Sequence, residues 1–213
     1  MIEWQWIGKI FLSRHKWILR LWLCIMALAM LAICITPYGY FNVWLSKHYQ
    51  PNLGYFFKYY TYFGEEWLLV LIVLLLIFLI KNKSFALRLS AALIINSLST
   101  IVLKYLIFNQ NRPKLILQEF NLIFTNGVAV NLHNSFPSGH TSAAFAMAFA
   151  LAFWFAKPRL SAFVLLMAIG VGFSRIYLQQ HFLEDIVGGA LVGAVAACLA
   201  AGFSWKNKIG PRI

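Results

Sequence analysis

Long apolar stretches recur along the whole chain and constrain its fold more than any other feature. Residues 67–80 contain only Trp, Phe, Leu, Ile and Val, and hydrophobic residues make up 62% of the 213 positions. A soluble domain of this size has no use for so much apolar surface, whereas a bilayer solvates it. In hydrocarbon the backbone must bond within its own segment, which favours helices. The sequence therefore predicts an all-α integral membrane bundle.

Six segments are suited to cross the bilayer as helices. We place them near 17–37, 62–81, 85–106, 139–156, 159–177 and 183–205, in a single transmembrane domain covering residues 1–213. Residues 38–61 are rich in Tyr and Phe, which is typical of an interfacial segment, here between the first two spans. The first apolar run has no clear small-residue cleavage site, so we expect a retained span.

The basic residues indicate the orientation of these spans. With the N-terminus inside, twelve of the 18 Lys and Arg residues lie on the cytoplasmic side: Lys9, Arg14, Lys16, Arg20, Lys81, Lys83, Arg88, Lys157, Arg159, Lys206, Lys208 and Arg212. The positive-inside rule then predicts that both termini are cytoplasmic. The net charge of +12 follows from this placement beside apolar segments. No basic stripe is present, so we expect no nucleic-acid partner.

Three short clusters carry charged and imidazole groups that are costly near a membrane and therefore indicate function. They are Lys104 with Arg112-Pro113, then Pro137-Ser138-Gly139-His140, and then Ser174-Arg175 with His181 and Asp185. The clusters fall at the end of the third predicted span, at the start of the fourth, and between the fifth and sixth. On the predicted topology all three face the outer, periplasmic side.

The residue types in these clusters suit the binding of a phosphate group. Lys104, Arg112 and Arg175 supply cations, and an Arg side chain can bond two phosphate oxygens at once. Ser138 and Gly139 stand at a predicted helix start, where free backbone N–H groups and the helix dipole favour an anion. Cations and N–H donors together would offset the negative charge that protects a phosphate ester from attack.

The two histidines and the carboxylate suit nucleophilic attack on that phosphate. His181 and Asp185 are spaced i, i+4 and share a helix face. A carboxylate on one imidazole nitrogen fixes the tautomer and makes the other nitrogen more nucleophilic. His140 is then free to protonate the leaving oxygen and afterwards to activate water. The acidic residues show no convergent metal-ligand set, so we expect a metal-independent reaction without a cofactor.

The second and third clusters resemble the second and third signatures of the type 2 phosphatidic acid phosphatase superfamily. That superfamily includes membrane lipid phosphatases and the soluble vanadium haloperoxidases. The resemblance covers a motif-bearing core of roughly residues 85–205. It implies a phosphohistidine intermediate on His181 and acid–base catalysis by His140. It also implies phosphate binding by these residues: Lys104, Arg112, Ser138, Gly139 and Arg175.

The first cluster departs from the family pattern by one residue. Seven residues separate Lys104 from Arg112, where the family usually has six. One extra residue turns an α-helix by about 100°, which would move Lys104 off the site in a continuous helix. Pro113 and the polar residues 109–111 predict that the helix ends before Arg112, so an unwound turn would absorb the insertion.

The resemblance implies a membrane lipid phosphate as substrate. By analogy we favour lipid A 1-phosphate or undecaprenyl diphosphate, with phosphatidylglycerol phosphate and phosphatidic acid as alternatives. Two other functional classes stay open at this point: an enzyme acting on a soluble phosphate, and a non-catalytic carrier that keeps the phosphate pocket. A vanadate-dependent peroxidase fits an all-membrane chain less well. The sequence indicates no oligomeric state.

Five further residues carry structural expectations. Gly189 and Gly193 are spaced to allow close helix approach, either within the bundle, which we favour, or in a dimer. Glu65, with its neighbour Glu66, stands at a predicted span boundary and is expected to face water. His133 precedes the second cluster in a loop and is also expected to be solvated.

Overall fold

The computed structural model describes residues 12–203, with side chains from residue 16 onward. The first half contains α1 (Leu12–Ile35), α2 (Tyr40–Lys47), α3 (Pro51–Tyr60), a 3₁₀ turn (Thr61–Gly64), α4 (Glu66–Ile80), α5 (Lys83–Ile101) and a π-helical segment (Val102–Phe108). The second half contains α6 (Pro113–Ile116), a 3₁₀ turn (Gln118–Phe120), α7 (Gly139–Phe155), α8 (Pro158–Tyr177) and α9 (Leu183–Ala201). Helices therefore account for all regular structure in residues 12–203.

The count of six spans is not confirmed. Four described helices are long and apolar enough to cross a membrane: Lys16–Ile35, Lys83–Phe120, Pro158–Tyr177 and Leu183–Ala201. A fifth arises if Pro51–Gly64 and Glu66–Ile80, which meet at 54°, count as one bent span. The fourth predicted span is α7, which is shorter, at 17 residues. Lys9, Lys206, Lys208 and Arg212, which carry part of the topology argument, lie outside the described residues, as does the Arg14 side chain.

Helix α7 lies at the centre of the bundle. Residues 141–149 are all buried, and α5, α8 and α9 pack around them. A helix that is apolar on every face is stable only when it is surrounded in this way. Helix α1 covers α8 and α9 with Ile18, Trp22 and Met26, and the Trp22 ring meets Phe149 of α7 edge to face at 5.5 Å. The middle of α7 is thereby held inside the protein.

Small residues let α9 approach α7 closely. A Cβ atom on Gly189 would lie 2.7 Å from the carbonyl oxygen of Ser138, and one on Gly193 would lie 2.7 Å from the backbone nitrogen of Ala146. These separations are shorter than real Cβ contacts, so no larger residue fits without displacing a helix. The predicted packing role of the two glycines within the bundle is confirmed.

The aromatic segment 38–61 forms α2, α3 and the start of the 3₁₀ turn. Several of its rings are exposed, including Tyr38, Trp44, Phe56 and Tyr59. Its buried groups point to the bundle instead: Asn42 donates to the side chain of Gln179, in the turn after α8, and Thr61 accepts from Arg175 near the end of that helix. The segment therefore contacts the site as well as presenting aromatic side chains outward, and its interfacial position stays a prediction.

We predict that Gly189→Val weakens the contact between α7 and α9. The new side chain must displace Ser138 or shift α9, which is expected to lower the free energy of unfolding by about 1–3 kcal/mol. Thermal unfolding of the purified protein in detergent measures this as a lower midpoint. Val195→Leu is the matched control, because Val195 is 55% exposed on the same helix. Equal midpoints for the two variants would contradict the close packing described here.

Candidate active site

The turn between α8 and α9 places His181 beside Asp185. His181 is 1% exposed, and its Nδ1 lies 3.2 Å from Oδ2 of Asp185. Asp185 is the third residue of α9, and its Oδ2 also accepts a bond from the backbone N–H of Phe182 at 2.9 Å. The carboxylate therefore caps the helix and holds the imidazole at the same time. The i, i+4 pairing predicted from the sequence is present.

The second ring nitrogen of His181 faces Arg112. Nη1 of Arg112 lies 3.4 Å from Nε2 of His181. A guanidinium can only donate, so Nε2 accepts, and the ring proton belongs on Nδ1 toward Asp185. Burial, followed by the charges of Arg112 and Arg175, lowers the pKa of His181 well below its usual value of 6.5. The neutral ring therefore presents a lone pair on Nε2 to the cationic side of the site.

Ser135 also binds Asp185. Its hydroxyl donates to Oδ2 of Asp185 at 2.5 Å and lies 3.5 Å from Nδ1 of His181. Ser135 is fully buried, and its backbone N–H donates to the carbonyl of Gln110. The loop that precedes α7 is thus joined to both the carboxylate and the loop that carries Arg112. Sequence reasoning missed Ser135, because a serine two residues before Pro137 matches no catalytic spacing.

Arg112 is held by carbonyl groups. Its Nε donates to the carbonyl of His133 at 2.9 Å, and its Nη1 donates to the carbonyl of Gln180 at 3.1 Å. The side chain is 6% exposed, and the backbone around it, residues 109–112, is not helical. The helix does end before Arg112, as predicted. His133 is exposed, as predicted, although its carbonyl takes part in orienting Arg112.

Lys104 reaches the site through a change of helical winding. It lies in the π-helical segment Val102–Phe108, in which each hydrogen-bonded turn holds one more residue than in an α-helix. This winding, together with the unwound residues after it, accommodates the long spacing to Arg112. Nζ of Lys104 lies 3.8 Å from the position of a Cβ atom on Gly139. The sequence predicted an unwound turn, but the π-helical winding was not foreseen.

Arg175 is buried at the end of α8. It is 7% exposed, its Nη1 donates to the hydroxyl of Thr61 at 3.0 Å, and its Nε has no partner among the described residues. A buried, unpaired N–H costs free energy unless a ligand satisfies it. The ion pairs among the described residues are His140–Glu65 and His181–Asp185. Lys104, Arg112 and Arg175 therefore lack carboxylate partners there, and an anion would compensate their charge.

The N-terminus of α7 lies between these cations and Asp185. Ser138 is the N-cap residue, and its hydroxyl accepts from that of Thr141 at 2.9 Å. The backbone N–H of Ser138 donates to the carbonyl of Asp185 at 3.0 Å, which joins the second cluster to the third. Gly139 begins the helix beside Lys104. The eight predicted site residues are thus brought together around one helix start.

His140 has a carboxylate partner that the sequence did not suggest. Its Nε2 lies 2.9 Å from Oε1 of Glu65, which stands between the 3₁₀ turn and α4. Glu65 is therefore half-buried against the site instead of simply facing water as expected, whereas Glu66 is exposed as expected. The backbone of Gly64 approaches the carbonyl of His140 so closely that a Cβ atom there would lie 2.6 Å from it. The close contact of Gly64 places the next residue, Glu65, beside the imidazole of His140.

Among the described residues, no group of three or more His, Cys, Asp or Glu side chains converges to hold a metal ion. The chemistry that the arrangement can perform is attack by Nε2 of His181 on an anion held by cations. Asp185 binds the other ring nitrogen of His181, and His140 is a second imidazole, which is paired with Glu65. Such an arrangement suits transfer of a phosphoryl group.

Comparison with known proteins agrees with this chemistry. The sequence model of the PAP2 superfamily, the superfamily that the motifs resemble, matches residues 85–209, more than half of the chain. The chain is 33% identical over 73 residues to the "Putative undecaprenyl-diphosphatase YbjG" of Escherichia coli, covering 34% of this chain and 36% of the relative. It is 38% identical over 64 residues to the lipid A 4'-phosphatase of Bacteroides thetaiotaomicron, covering 30% of this chain and 28% of that one.

These two curated relatives are thus matched over about a third of their length. A solved structure is matched more fully. The crystal structure of Aquifex aeolicus LpxE superimposes with a TM-score of 0.63 at 28% identity, covering 76% of this chain and 93% of that chain. The similarity to LpxE therefore extends beyond the motif region.

We predict that Ser135→Ala slows turnover of a phosphate ester by about tenfold. The loss removes one charge-assisted hydrogen bond from a buried carboxylate, and such a bond contributes about 1.5–3 kcal/mol. Phosphate release by the purified variant measures the effect. Ser84→Ala is the matched control, because Ser84 lies in the first turn of α5, outside the contacts described above. A Ser135→Ala rate equal to that of the control would contradict the role assigned to this bond.

Proposed function

The chain belongs to the PAP2 superfamily, and on that premise we propose that it is an integral membrane lipid phosphatase. The observation that carries the proposal is the set of three cations around His181 that have no carboxylate partner within residues 16–203. The site would bind the phosphate group of a lipid and cleave it through a phosphohistidine intermediate. Neither a metal ion nor a cofactor takes part in the proposed reaction.

In the first step, Nε2 of His181 attacks phosphorus while the bond to the leaving oxygen breaks. Arg112 already lies 3.4 Å from Nε2, so a phosphate bound there would replace that contact and meet the guanidinium. Asp185 stabilises the positive charge that develops on the ring, as in other carboxylate–imidazole pairs. His140 donates a proton to the leaving oxygen, which departs as an alcohol or as a phosphorylated lipid.

In the second step, water cleaves the phosphohistidine. His140, now neutral, takes a proton from the attacking water, whose oxygen bonds to phosphorus. The P–N bond breaks, and its electron pair returns to Nε2 of His181. Phosphate leaves, and His140 is protonated again for the next cycle. Each residue thus ends the cycle in the state in which it began.

The cations and the start of α7 would stabilise the transition state. Negative charge on the transferring phosphoryl oxygens can be met by Lys104, Arg112 and Arg175, and by backbone N–H groups near Gly139. Removing one such donor from a preorganised site typically costs about 10²–10³ in rate. The unpaired Nε of Arg175 supports its assignment as a phosphate ligand.

We favour lipid A 1-phosphate or undecaprenyl diphosphate as the substrate. The names of the two curated relatives refer to undecaprenyl diphosphate and to the 4'-phosphate of lipid A, so they support a lipid of this class without favouring the 1-position of lipid A. Phosphatidylglycerol phosphate and phosphatidic acid are the alternative lipids. A carrier that binds lipid phosphate without cleaving it is the remaining alternative.

The proposed setting is a bacterial inner membrane crossed by six spans. Helix α7 serves as the fourth span, and its 17 residues lie at the short end of what a bilayer requires. Both termini lie in the cytoplasm, and the site opens to the periplasm. Residues 38–61 lie at that interface, where exposed aromatic rings such as Trp44 and Tyr59 meet the lipid headgroups.

We predict that His181→Ala abolishes phosphate release while the protein stays folded. Purified protein in detergent is given lipid A, undecaprenyl diphosphate, phosphatidylglycerol phosphate, phosphatidic acid and a water-soluble phosphate in parallel. Histidine-dependent release from one lipid identifies the substrate. His133→Ala is the matched control, because His133 is an exposed loop histidine. Lipid binding without release by the wild-type protein would favour the carrier instead.

We predict that the activity survives chelation and is inhibited by vanadate. Cations from the protein replace a metal ion in the proposed site, so EDTA should leave the rate within about twofold of its untreated value. Vanadate imitates the five-coordinate phosphoryl group and should compete with substrate. Loss of activity in EDTA, with recovery in Mg²⁺, would refute the metal-independent mechanism.

A further inference from the structure

Glu65 and His140 form a carboxylate–imidazole pair beside the site. Oε1 of Glu65 lies 2.9 Å from Nε2 of His140, and the two side chains are 33% and 23% exposed. Both side chains keep some contact with solvent, and an ion pair that is not fully buried contributes only modestly to stability, so folding alone gives a weak reason for this contact. The position of the pair is more informative. The sequence motifs supply a carboxylate partner for His181 but none for His140.

The segment that carries Glu65 is held against the site at two further points. Thr61 accepts a bond from Arg175 at 3.0 Å, and Gly64 lies against the carbonyl of His140. Thr61, Gly64 and Glu65 all precede residue 85, where the match to the family model begins. The first half of the chain therefore supplies a wall of the site, and Glu65 is the charged group of that wall.

The two histidines use opposite ring nitrogens for their carboxylates. His181 uses Nδ1 toward Asp185, which leaves Nε2 for phosphorus. His140 uses Nε2 toward Glu65, and its Nδ1 has no hydrogen-bond partner within residues 16–203. A carboxylate on one nitrogen fixes the tautomer and stabilises the charged ring. Nδ1 of His140 is then the ring nitrogen left for proton transfer to a leaving oxygen.

We propose that Glu65 is a positioning residue that binds the Nε2 proton of His140 and so directs the Nδ1 proton to the leaving group. The inference rests on the proposed phosphatase function. When phosphorus transfers to His181, the Nδ1 proton passes to the leaving oxygen, and the Nε2 proton stays between His140 and Glu65. When water attacks, Nδ1 takes the proton back. Glu65 gains and loses no proton over the cycle.

The test compares two soluble substrates that differ in their need for an acid. p-Nitrophenolate leaves readily without protonation, whereas phenolate leaves poorly, so phenyl phosphate depends more on His140. Glu65→Gln keeps the size of the side chain and removes its charge. We expect the rate on phenyl phosphate to fall about 10²-fold, within the range for loss of acid catalysis, and the rate on p-nitrophenyl phosphate to fall less than tenfold.

Glu66→Gln is the matched control, because Glu66 is the adjacent carboxylate and is exposed. We expect its rates on both substrates to equal those of the wild type. Equal rates for Glu65→Gln and Glu66→Gln would overturn the proposal, as would a uniform loss by Glu65→Gln on both substrates. If Glu65→Gln does not purify in folded form, Glu65→Ala takes its place with the same expected pattern.

A double variant separates positioning from a structural role. If Glu65 acts through His140, Glu65→Gln/His140→Ala should be no more than about twofold slower than His140→Ala. A further loss as large as that of Glu65→Gln alone would mean that the two residues act independently, which would overturn the proposal. His181→Ala, measured beside them, tests the phosphatase function itself. If His181→Ala is inactive and Glu65→Gln has the wild-type rate, the role of Glu65 is rejected and the phosphatase function stands.

Discussion

The carboxylate of Asp185 is the group on which the rest of the structure depends. Its Oδ2 receives the hydroxyl of Ser135, Nδ1 of His181 and the backbone N–H of Phe182, and its carbonyl receives the N–H of Ser138. A buried carboxylate is costly unless donors surround it. These donors come from the loop before α7 and from the turn between α8 and α9. One residue therefore joins the two segments that carry the proposed catalytic groups.

The surrounding bundle makes that junction possible through small residues and irregular backbone. Gly189 lets α9 lie against the carbonyl of Ser138, which places Asp185 beside the start of α7. The π-helical segment Val102–Phe108, with the unwound residues after it, allows Lys104 and Arg112 to reach the same place. Within an apolar bundle, non-helical backbone is tolerated where it is buried in protein or lines a cavity. The departures from regular helix here lie next to the site.

Much of the fold and site could be predicted from the sequence. The helical class follows from apolar length, and the pairing of His181 with Asp185 follows from the i, i+4 spacing. The count of six spans stays a prediction, because α7 is shorter than the other apolar helices and most of its residues are buried by neighbouring helices. The π-helical winding at Lys104 could not be predicted from the sequence. The extra residue between Lys104 and Arg112 can be accommodated by several local backbone geometries, and packing selects among them.

The sequence by itself determined which chemistry we propose for this protein, because the chemical groups and their local spacings within each motif are covalent properties of the chain. Only the tertiary structure decided which distant groups support that chemistry. Glu65 meets His140 across 75 residues, Thr61 meets Arg175 across 114, and Ser135 meets Asp185 across 50. No spacing rule connects residues so far apart, because their meeting depends on how whole helices pack. The proposed nucleophile and its partner Asp185 were therefore readable from their motif, whereas Ser135 and Glu65, which bind Asp185 and His140, were visible only in the folded bundle.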